Sequence, residues 1–318
     1  MKVLITGGAG FIGSHLVETL KEEGLFVRVL DNFSTGKRES LPKEGIELIE
    51  GNISERQICL KATDGVEAVF HEAALVSVPL SVERPFETHR INVTGILNLL
   101  WAAKENGVRK FIFASSCSIY GLKGKEGYGL KENIAPEPVS PYASSKLVGE
   151  IYCKLFSQVY GLETICLRYF NVYGERQDPS SPYAAVVPIF ITRILEGRPL
   201  TVYGDGRQTR DFVYVKDVVR ANLLALNLNK GKGQVLNIGS GKSHSVLALI
   251  GTLEEITGSK LDVQFAPPRP GDARHATADL KKTEQILGFH PQIDFYQGLE
   301  MTYSWFKNKK TLGRKIWK

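Results

Sequence analysis

The chain has 318 residues, of which 43% are hydrophobic and 23% charged, with a formal net charge of +6. That is enough apolar material for one large domain or two unequal ones, and no apolar run reaches the roughly 20 residues that span a membrane. Six of the cations cluster near the C-terminus (Lys307, Lys309, Lys310, Arg314, Lys315, Lys318) and are expected to form a solvated, fraying tail. No basic helix with interleaved aromatics is present, so nucleic acid is not an expected partner.

The chain opens with KVLITGGAGFIGSHL. Val3, Leu4 and Ile5 predict a buried strand, and Ile12, Leu16 and Leu20 predict the apolar face of a helix. Between them lies a glycine turn. Gly7 permits a sharp bend, Gly10 leaves the backbone open to a pyrophosphate, and Gly13 lets the helix pack on its strand. The helix N-terminus then offers N–H groups and a favourable dipole to phosphate. A glycine triplet alone also serves tight helix–strand packing. The second strand pattern, residues 25–30, strengthens the nucleotide reading because it ends in Asp31. A carboxylate there accepts hydrogen bonds from an adenosine ribose and repels a 2′-phosphate, which favours NAD over NADP. Lys37 and Arg38, close downstream, weigh against that preference.

Strand and helix patterns go on alternating. Strands are expected at 46–49, 69–74 and from 110 into a small-residue turn, and a long helix over 85–106, stopped by Gly107. Such βα alternation predicts a doubly wound parallel sheet, with ligands beyond the carboxyl ends of the strands. Two clusters fall there. Ser115-Ser116-Cys117-Ser118 follows the fifth strand, and SPYASSK, residues 140–146, opens a helix patterned by Leu147, Ile151 and Leu155. Tyr142 and Lys146 stand four apart, on one helical face. A lysine ammonium one turn away favours the phenolate of a tyrosine, whose free pKa is about 10. Such a tyrosine can take a proton from a sugar hydroxyl while hydride leaves the same carbon, with a serine sharing the load.

Further on, a turn-rich loop is expected at 179–183, a helix at 184–196, a short strand at 200–203, a helix at 215–226 and a buried strand at 235–238. Arg207, Arg210 and Arg269 suit a diphosphate, since the guanidinium fork matches paired oxygens. The four cysteines (Cys59, Cys117, Cys153, Cys166) show no paired spacing and read as reduced thiols of a cytoplasmic protein. The first strand begins at once, which leaves no room for a signal peptide. No metal site is expected.

GGAGFIGSHL, NVTG, SSCSIYG, SPYASSK, LRYFNVYG and VYGDGRQTRDFVYVKD occur in an order and spacing that resemble the extended short-chain dehydrogenase/reductase family, in particular its UDP-galactose and UDP-N-acetylglucosamine 4-epimerase group. The resemblance covers essentially the whole chain. It implies an α/β fold: a Rossmann domain over 1–172, a segment returning to it at about 212–240, and a smaller mixed α/β nucleotide-sugar-binding lobe from the remainder of 173–318. By matching motif, Ser116 and Tyr142 are implied as the proton-handling pair and Lys146 as the tuning lysine. Gly7, Gly10, Phe11, Ile12, Gly13, Asp31, Asn32, Asn52, Ile53, Ala73, Ala74, Asn92, Tyr142, Lys146 and Tyr169 match positions that contact NAD. At Asn52 many relatives carry aspartate. Ser77, Ser116, Tyr142, Asn171, Tyr203, Arg210, Arg269, Asp272 and Ala276 match substrate-binding positions, with Gln208 and Asp211 as further candidates. Dehydratases of this kind carry an Asp-Glu pair where this chain has Cys117 and Ser118, and the decarboxylases a glutamate at Ser118. The implied outcome is C4 epimerisation of a UDP-hexose, with tightly bound NAD regenerated at each turnover. Ala276 aligns with the position that gates the C2 substituent; being small, it implies the UDP-GlcNAc/UDP-GalNAc pair, with UDP-Glc/UDP-Gal as a second activity. A UDP-glucose-restricted enzyme and a UDP-glucuronate 4-epimerase, with Arg176 or Arg193 as carboxylate partner, stay open, and a non-catalytic NAD-binding regulator is the remote alternative. A homodimer is implied, built on the helices at 85–106 and 142–160.

Overall fold

In the computed structural model, residues 1–180, 184–228, 231–268 and 273–311 are described. Val3, Leu4 and Ile5 are wholly buried in β1 (Lys2–Thr6), as suits an unbroken aliphatic run covered on both faces. The chain continues through α1 (Phe11–Glu22), β2 (Phe26–Asp31), β3 (Ile46–Glu50), α2 (Arg56–Thr63), β4 (Ala68–His71), α3 (Val78–Glu83), α4 (Pro85–Thr88), α5 (Gly95–Glu105), β5 (Lys110–Ser116), α6 (Pro141–Tyr160) and β6 (Glu163–Tyr169). Then come β7 (Asn171–Tyr173), α7 (Val186–Leu195), β8 (Leu200–Tyr203), β9 (Thr209–Arg210), β10 (Phe212–Tyr214), α8 (Val215–Asn227) and β11 (Gln234–Ile238). The last part holds β12 (His244–Ser245), α9 (Val246–Thr257), β13 (Val263–Ala266), β14 (His275–Ala276), α10 (Lys281–Leu287) and α11 (Phe295–Thr311).

Seven strands form one parallel sheet in the order β11-β6-β5-β4-β1-β2-β3. Alternate side chains serve opposite faces. Val3, Ile5, Val29 and Phe70 pack with Leu16 and Val17 of α1 and Val218 of α8. Leu4, Leu30, Val69 and Phe111 pack with Leu99 of α5 and Phe156 of α6 on the other face. The strand order reverses between β1 and β4, which opens a crevice beyond their carboxyl ends. A further apolar cluster, including Phe190, Leu200, Phe212, Leu249, Leu299 and Phe306, holds α7, α9 and α11 to the short sheets β8–β13 and β7–β10. A three-stranded ribbon, β12-β9-β14, stands by itself.

Several expectations need adjustment. β4 ends at His71, so residues 72–74 leave the sheet; Glu72 donates its N–H to the Thr6 carbonyl at 3.1 Å and the chain then passes against Gly7. The helix expected over 85–106 is interrupted by a π-helical turn, His89–Thr94, between α4 and α5. Lys307, Lys309 and Lys310 are not a fraying tail: they lie on α11, with Lys309 Nζ 5.0 Å from the Trp305 ring centroid and Lys310 Nζ donating to the Leu195 carbonyl. Arg314, Lys315 and Lys318, and part of the loop expected at 179–183, lie outside the described residues. Among the described residues no helix is long and apolar enough to cross a membrane.

Candidate active site

The glycine turn after β1 is built as tightly as its sequence requires. Gly7 has φ +69°, and a Cβ on it would stand 2.7 Å from the Ala73 nitrogen. A Cβ on Gly13 would stand 2.2 Å from the Gly7 carbonyl oxygen. At Gly10, the residue before α1, a Cβ would meet only the Gly7 oxygen at 3.1 Å. The outer face of the turn is therefore open at the helix N-terminus, the environment a pyrophosphate needs. Asp31 closes the far side: its carboxylate accepts from the Ala9 N–H at 2.9 Å and the Phe33 N–H at 2.8 Å. Each cation that weighed against an unphosphorylated ribose has an acid beside it. Lys37 stands 3.5 Å from Asp178, and Arg38 stands 2.6 Å from Glu50 while lying over the Phe33 ring. These residues fit the adenosine half of NAD.

Other residues expected near the cofactor are also committed to the scaffold. Asn52 Oδ1 accepts from the Ser54 N–H, and the Ile53 side chain is core, against Gly95. Asn92, in the π-helical turn, accepts from the Leu75 N–H at 2.8 Å and donates to the Leu75 carbonyl at 3.0 Å and to Ser145 Oγ at 2.9 Å. Ser145 Oγ in turn donates to the Tyr142 carbonyl at 2.7 Å. The π-helical turn thus clamps the loop after β4 to the first turns of α6.

Ser116 ends β5 and caps a short 3₁₀ turn, its hydroxyl accepting from the Ser118 N–H at 3.1 Å. Ser115, its neighbour, points inward and donates to Glu150. Ser140 caps α6 by accepting from the Ala143 N–H at 3.1 Å, which fixes the helix start and therefore where Tyr142 lies. The Tyr142 N–H donates to Ser81 Oγ at 3.1 Å, tying α6 to α3. Ser116 hydrogen-bonds the Tyr142 side chain, and that bond favours the phenolate. Burial works the other way and prevails: the phenol is pushed up to about 12. The expectation of a tyrosine made acidic by Lys146 is thus not met by the protein's own groups. Lys146 Nζ is 5.9 Å from the Tyr142 ring centroid and donates to the Ala114 carbonyl at 2.7 Å. Burial lowers Lys146 to about 8.

One group here escaped the sequence reading. Glu72, just past β4, accepts from the Tyr169 hydroxyl at 2.9 Å, and Tyr169 accepts from Asn222 Nδ2 at 2.7 Å. Burial raises Glu72 to about 7, opposed by the Tyr169 hydrogen bond and the Lys146 charge.

Among the expected substrate residues, Arg210 and Ala276 face each other in parallel register on β9 and β14. Ala276 is buried in a cluster with Ile119, Tyr120 and Phe170, against which Cys117 packs. Asn171 begins β7, its N–H donating to the Asp211 carbonyl at 2.9 Å. Tyr203 is 39% exposed at the end of β8, and its carbonyl accepts from Gln208 Nε2. Ser77 caps α3 by accepting from the Leu80 N–H. The Asp211 carboxylate is wholly buried and accepts from the Ser240, Gly241 and Ala278 N–H groups and the Ser240 hydroxyl, which makes it an anchor for the loop after β11. Arg207 is solvent-exposed, and Arg269 and Asp272 lie outside the described residues.

A model of the NAD dependent epimerase/dehydratase family matches residues 3–239. The UDP-glucose 4-epimerase of Mycolicibacterium smegmatis is 38% identical over 315 residues, which cover 97% of this chain and 99% of that protein. The structure of the UDP-glucose 4-epimerase of Thermotoga maritima with UDP-glucose superimposes with a TM-score of 0.93 at 42% identity, over 98% of this chain and 100% of that one. The UDP-N-acetylglucosamine 4-epimerase of Methanobrevibacter ruminantium, in complex with UDP-N-acetylmuramic acid, gives 0.92 at 40% identity, over 97% and 98%. With the glycine turn, Asp31 and the Ser116–Tyr142–Lys146 constellation in place, the chain belongs to the NAD dependent epimerase/dehydratase family, in its UDP-sugar 4-epimerase group, and is an NAD-dependent enzyme.

Proposed function

We propose that the protein interconverts UDP-GlcNAc and UDP-GalNAc at C4, with UDP-Glc and UDP-Gal as a second substrate pair. The observation that carries this reading is Ala276. It sits in register with Arg210, in the cluster that Cys117 joins one residue beyond Ser116. A methyl group there leaves room for an acetylated C2 beside the reacting carbon. Arg210, Tyr203, Asn171 and, beyond the described residues, Arg269 and Asp272 are assigned to the UDP moiety and Ser77 to the sugar side.

Tyr142 takes the C4 hydroxyl proton, and Ser116, hydrogen-bonded to Tyr142, shares it. The glycine turn, Asp31 and Lys146 would hold NAD, which when bound would supply the hydride acceptor and a positive ring to oppose the burial that keeps Tyr142 protonated. Lys146, anchored on the Ala114 carbonyl, keeps a cation beneath the tyrosine. Cys117 and Ser118 offer no carboxylate to take a proton next to the new ketone, so the 4-keto sugar turns in the pocket and Tyr142 returns the proton on the other face. The arginines that a glucuronate would need have other partners. Arg193 donates to the Pro199 carbonyl and to Thr201, and Arg176 pairs with Glu18 at 2.6 Å. This supports a neutral sugar. The free, mostly buried cysteines agree with a cytoplasmic enzyme, and an apolar stripe on α6 with a homodimer.

The test is to incubate the purified protein with UDP-GlcNAc, with and without added NAD, and follow the sugar by NMR. A mixture of UDP-GlcNAc and UDP-GalNAc without added NAD is expected. Product from UDP-glucose alone would overturn the reading of Ala276. A product that has lost water, or loss of carbon dioxide when UDP-glucuronate is supplied instead, would overturn epimerisation.

A further inference from the structure

We propose that Asp211 is a positioning residue for the UDP side of the site: its carboxylate and backbone hold Arg210, Asn171 and the strand of Ala276 in one fixed arrangement, so that UDP affinity depends on it while the proton chemistry at Tyr142 does not. This rests on the assignment of Arg210 and Asn171 to the UDP moiety.

The ribbon β12-β9-β14 carries Arg210 and Ala276, and its strands belong to a sheet separate from the seven-stranded one. Its place against that larger sheet has to come from other ties. Asp211, between β9 and β10, supplies three of them. Its N–H donates to the Ala276 carbonyl at 2.8 Å, and its carbonyl accepts from the Asn171 N–H at 2.9 Å. One residue thus links β14 to the start of β7. The carboxylate makes the third tie. Oδ1 accepts from the Ser240 N–H at 2.6 Å and the Ser240 hydroxyl at 2.7 Å. Oδ2 accepts from the Gly241 and Ala278 N–H groups, both at 3.0 Å. Ser240 and Gly241 follow β11, an edge strand of the seven-stranded sheet, and Ala278 follows β14.

Successive backbone N–H groups in a turn form a concavity that takes an anion. After β11 that anion is the protein's own carboxylate. Gly239 shows how closely it is held: a Cβ there would stand 2.6 Å from Asp211 Oδ2 and 2.9 Å from the Ala278 methyl. Asp211 is wholly buried and both its oxygens are taken up inside the fold, so it acts on a nucleotide through its neighbours, Arg210 in sequence and Asn171 across the strand. An amide at 211 keeps one acceptor oxygen and turns an NH2 toward the other pair of donors, which leaves two buried donors without a partner. The loop after β11 and the ribbon then part, and Arg210 and Asn171 lose their common frame. Ser116 on β5 and Tyr142 behind the Ser140 cap keep theirs.

The test is calorimetric titration of UDP into the purified, NAD-loaded protein, with steady-state kinetics beside it. In Asp211→Asn, UDP is expected to bind about tenfold or more weakly and KM to rise by the same factor for every UDP-sugar turned over, with kcat within about threefold, the pattern of lost uniform binding. Bound NAD per chain is expected to stay at the wild-type level. Wild-type UDP affinity in that variant would overturn the proposal; so would a fall in kcat at unchanged KM, the sign of a partly unfolded enzyme, or a KM that rises for one sugar alone. Ser240→Ala keeps the carboxylate and removes one of its four donors, and is expected to weaken UDP about threefold with kcat unmoved. Should Asp211→Asn not fold, wild-type affinity in Ser240→Ala overturns the proposal equally. A wild-type protein that binds no UDP would sink the assignment of Arg210 and Asn171 and this inference with it. One that binds UDP but epimerises no UDP-sugar would sink the proposed function and leave the calorimetry to decide the role of Asp211.

Discussion

At the scale of single residues, Ala276 and Tyr142 carry separable parts of the proposed reaction. Ala276 is buried in the cluster against which Cys117, the residue after Ser116, packs, so on the proposed reading a larger side chain there fills space beside the sugar. Ala276→Tyr is expected to lower kcat/KM for UDP-GlcNAc about 100-fold or more while UDP-glucose keeps its rate within a few-fold, as steady-state kinetics on both sugars would reveal. Tyr142→Phe removes only an oxygen. Turnover is then expected to fall by about 10²–10⁴-fold, the usual contribution of a positioned acid–base group, with NAD still present in the purified protein. Full turnover in that variant would move the base elsewhere. Legibility differs between these residues and Glu72. The glycines and Asp31 can be read in line because a single βαβ half-unit brings them together. Glu72 meets Tyr169, 97 positions away, only because β4 and β6 flank β5 in one sheet. It nonetheless stands just past an apolar run, where a parallel sheet places its ligands, and that signal was available in the sequence.

The elements that carry these residues are held by buried polar groups, and those groups make stability depend on pH. Behind Ser116 and Tyr142, Glu150 of α6 and Arg168 of β6 form a buried ion pair at 2.7 Å, completed by Ser115 and by Tyr120, which donates to Asn237. Removing one partner of such a pair is strongly destabilising, so the network fixes α6 against the sheet. His71 on β4 acts differently. Burial holds it at about 3 in the folded chain, against about 6.5 when unfolded. Between these values the unfolded chain binds the extra proton. The stability from a neutral His71 is thus fully present above about pH 6.5 and is lost as the pH falls toward 3. Urea unfolding at a series of pH values is expected to show this slope and a flatter one in His71→Asn; equal slopes would remove His71 as its cause. None of these pairings is visible in sequence patterns. Helices and strands come from local periodicity, whereas Asn92, Glu150 and His71 take their roles from partners that the sheet order supplies. The π-helical turn is likewise silent in sequence, since one extra residue in a turn leaves the apolar spacing on both sides intact.

Across the whole molecule, the second lobe was the least legible part, because strands as short as β9, β12 and β14 are too brief to show a period. The association of whole chains, in contrast, has a pattern that changes meaning once the fold is known. Leu147, Ile151 and Leu155 mark a helix in the sequence, and an apolar stripe of that kind is ordinarily a core face. In the folded chain α6 turns a different face to the sheet, through Cys153 and Phe156. Ile151, Leu155 and Val159, four residues apart, are left 57%, 43% and 62% exposed, with Val82 and Phe86 also exposed on α3 and α4. These helices are coupled to the site, since Tyr142 and Lys146 lie in the first turns of α6 and the Tyr142 N–H is held by Ser81 of α3. Pairing two copies through this stripe would bury the apolar surface and brace the helix that carries the base. Sedimentation equilibrium of the 35.2 kDa chain is expected to give twice that mass, and Leu155→Glu to give the monomer. If the stripe braces the site, the monomer loses turnover as well as mass. A wild-type protein monomeric at every concentration would sink the pairing, and a Leu155→Glu variant that stays dimeric would place the interface on another face.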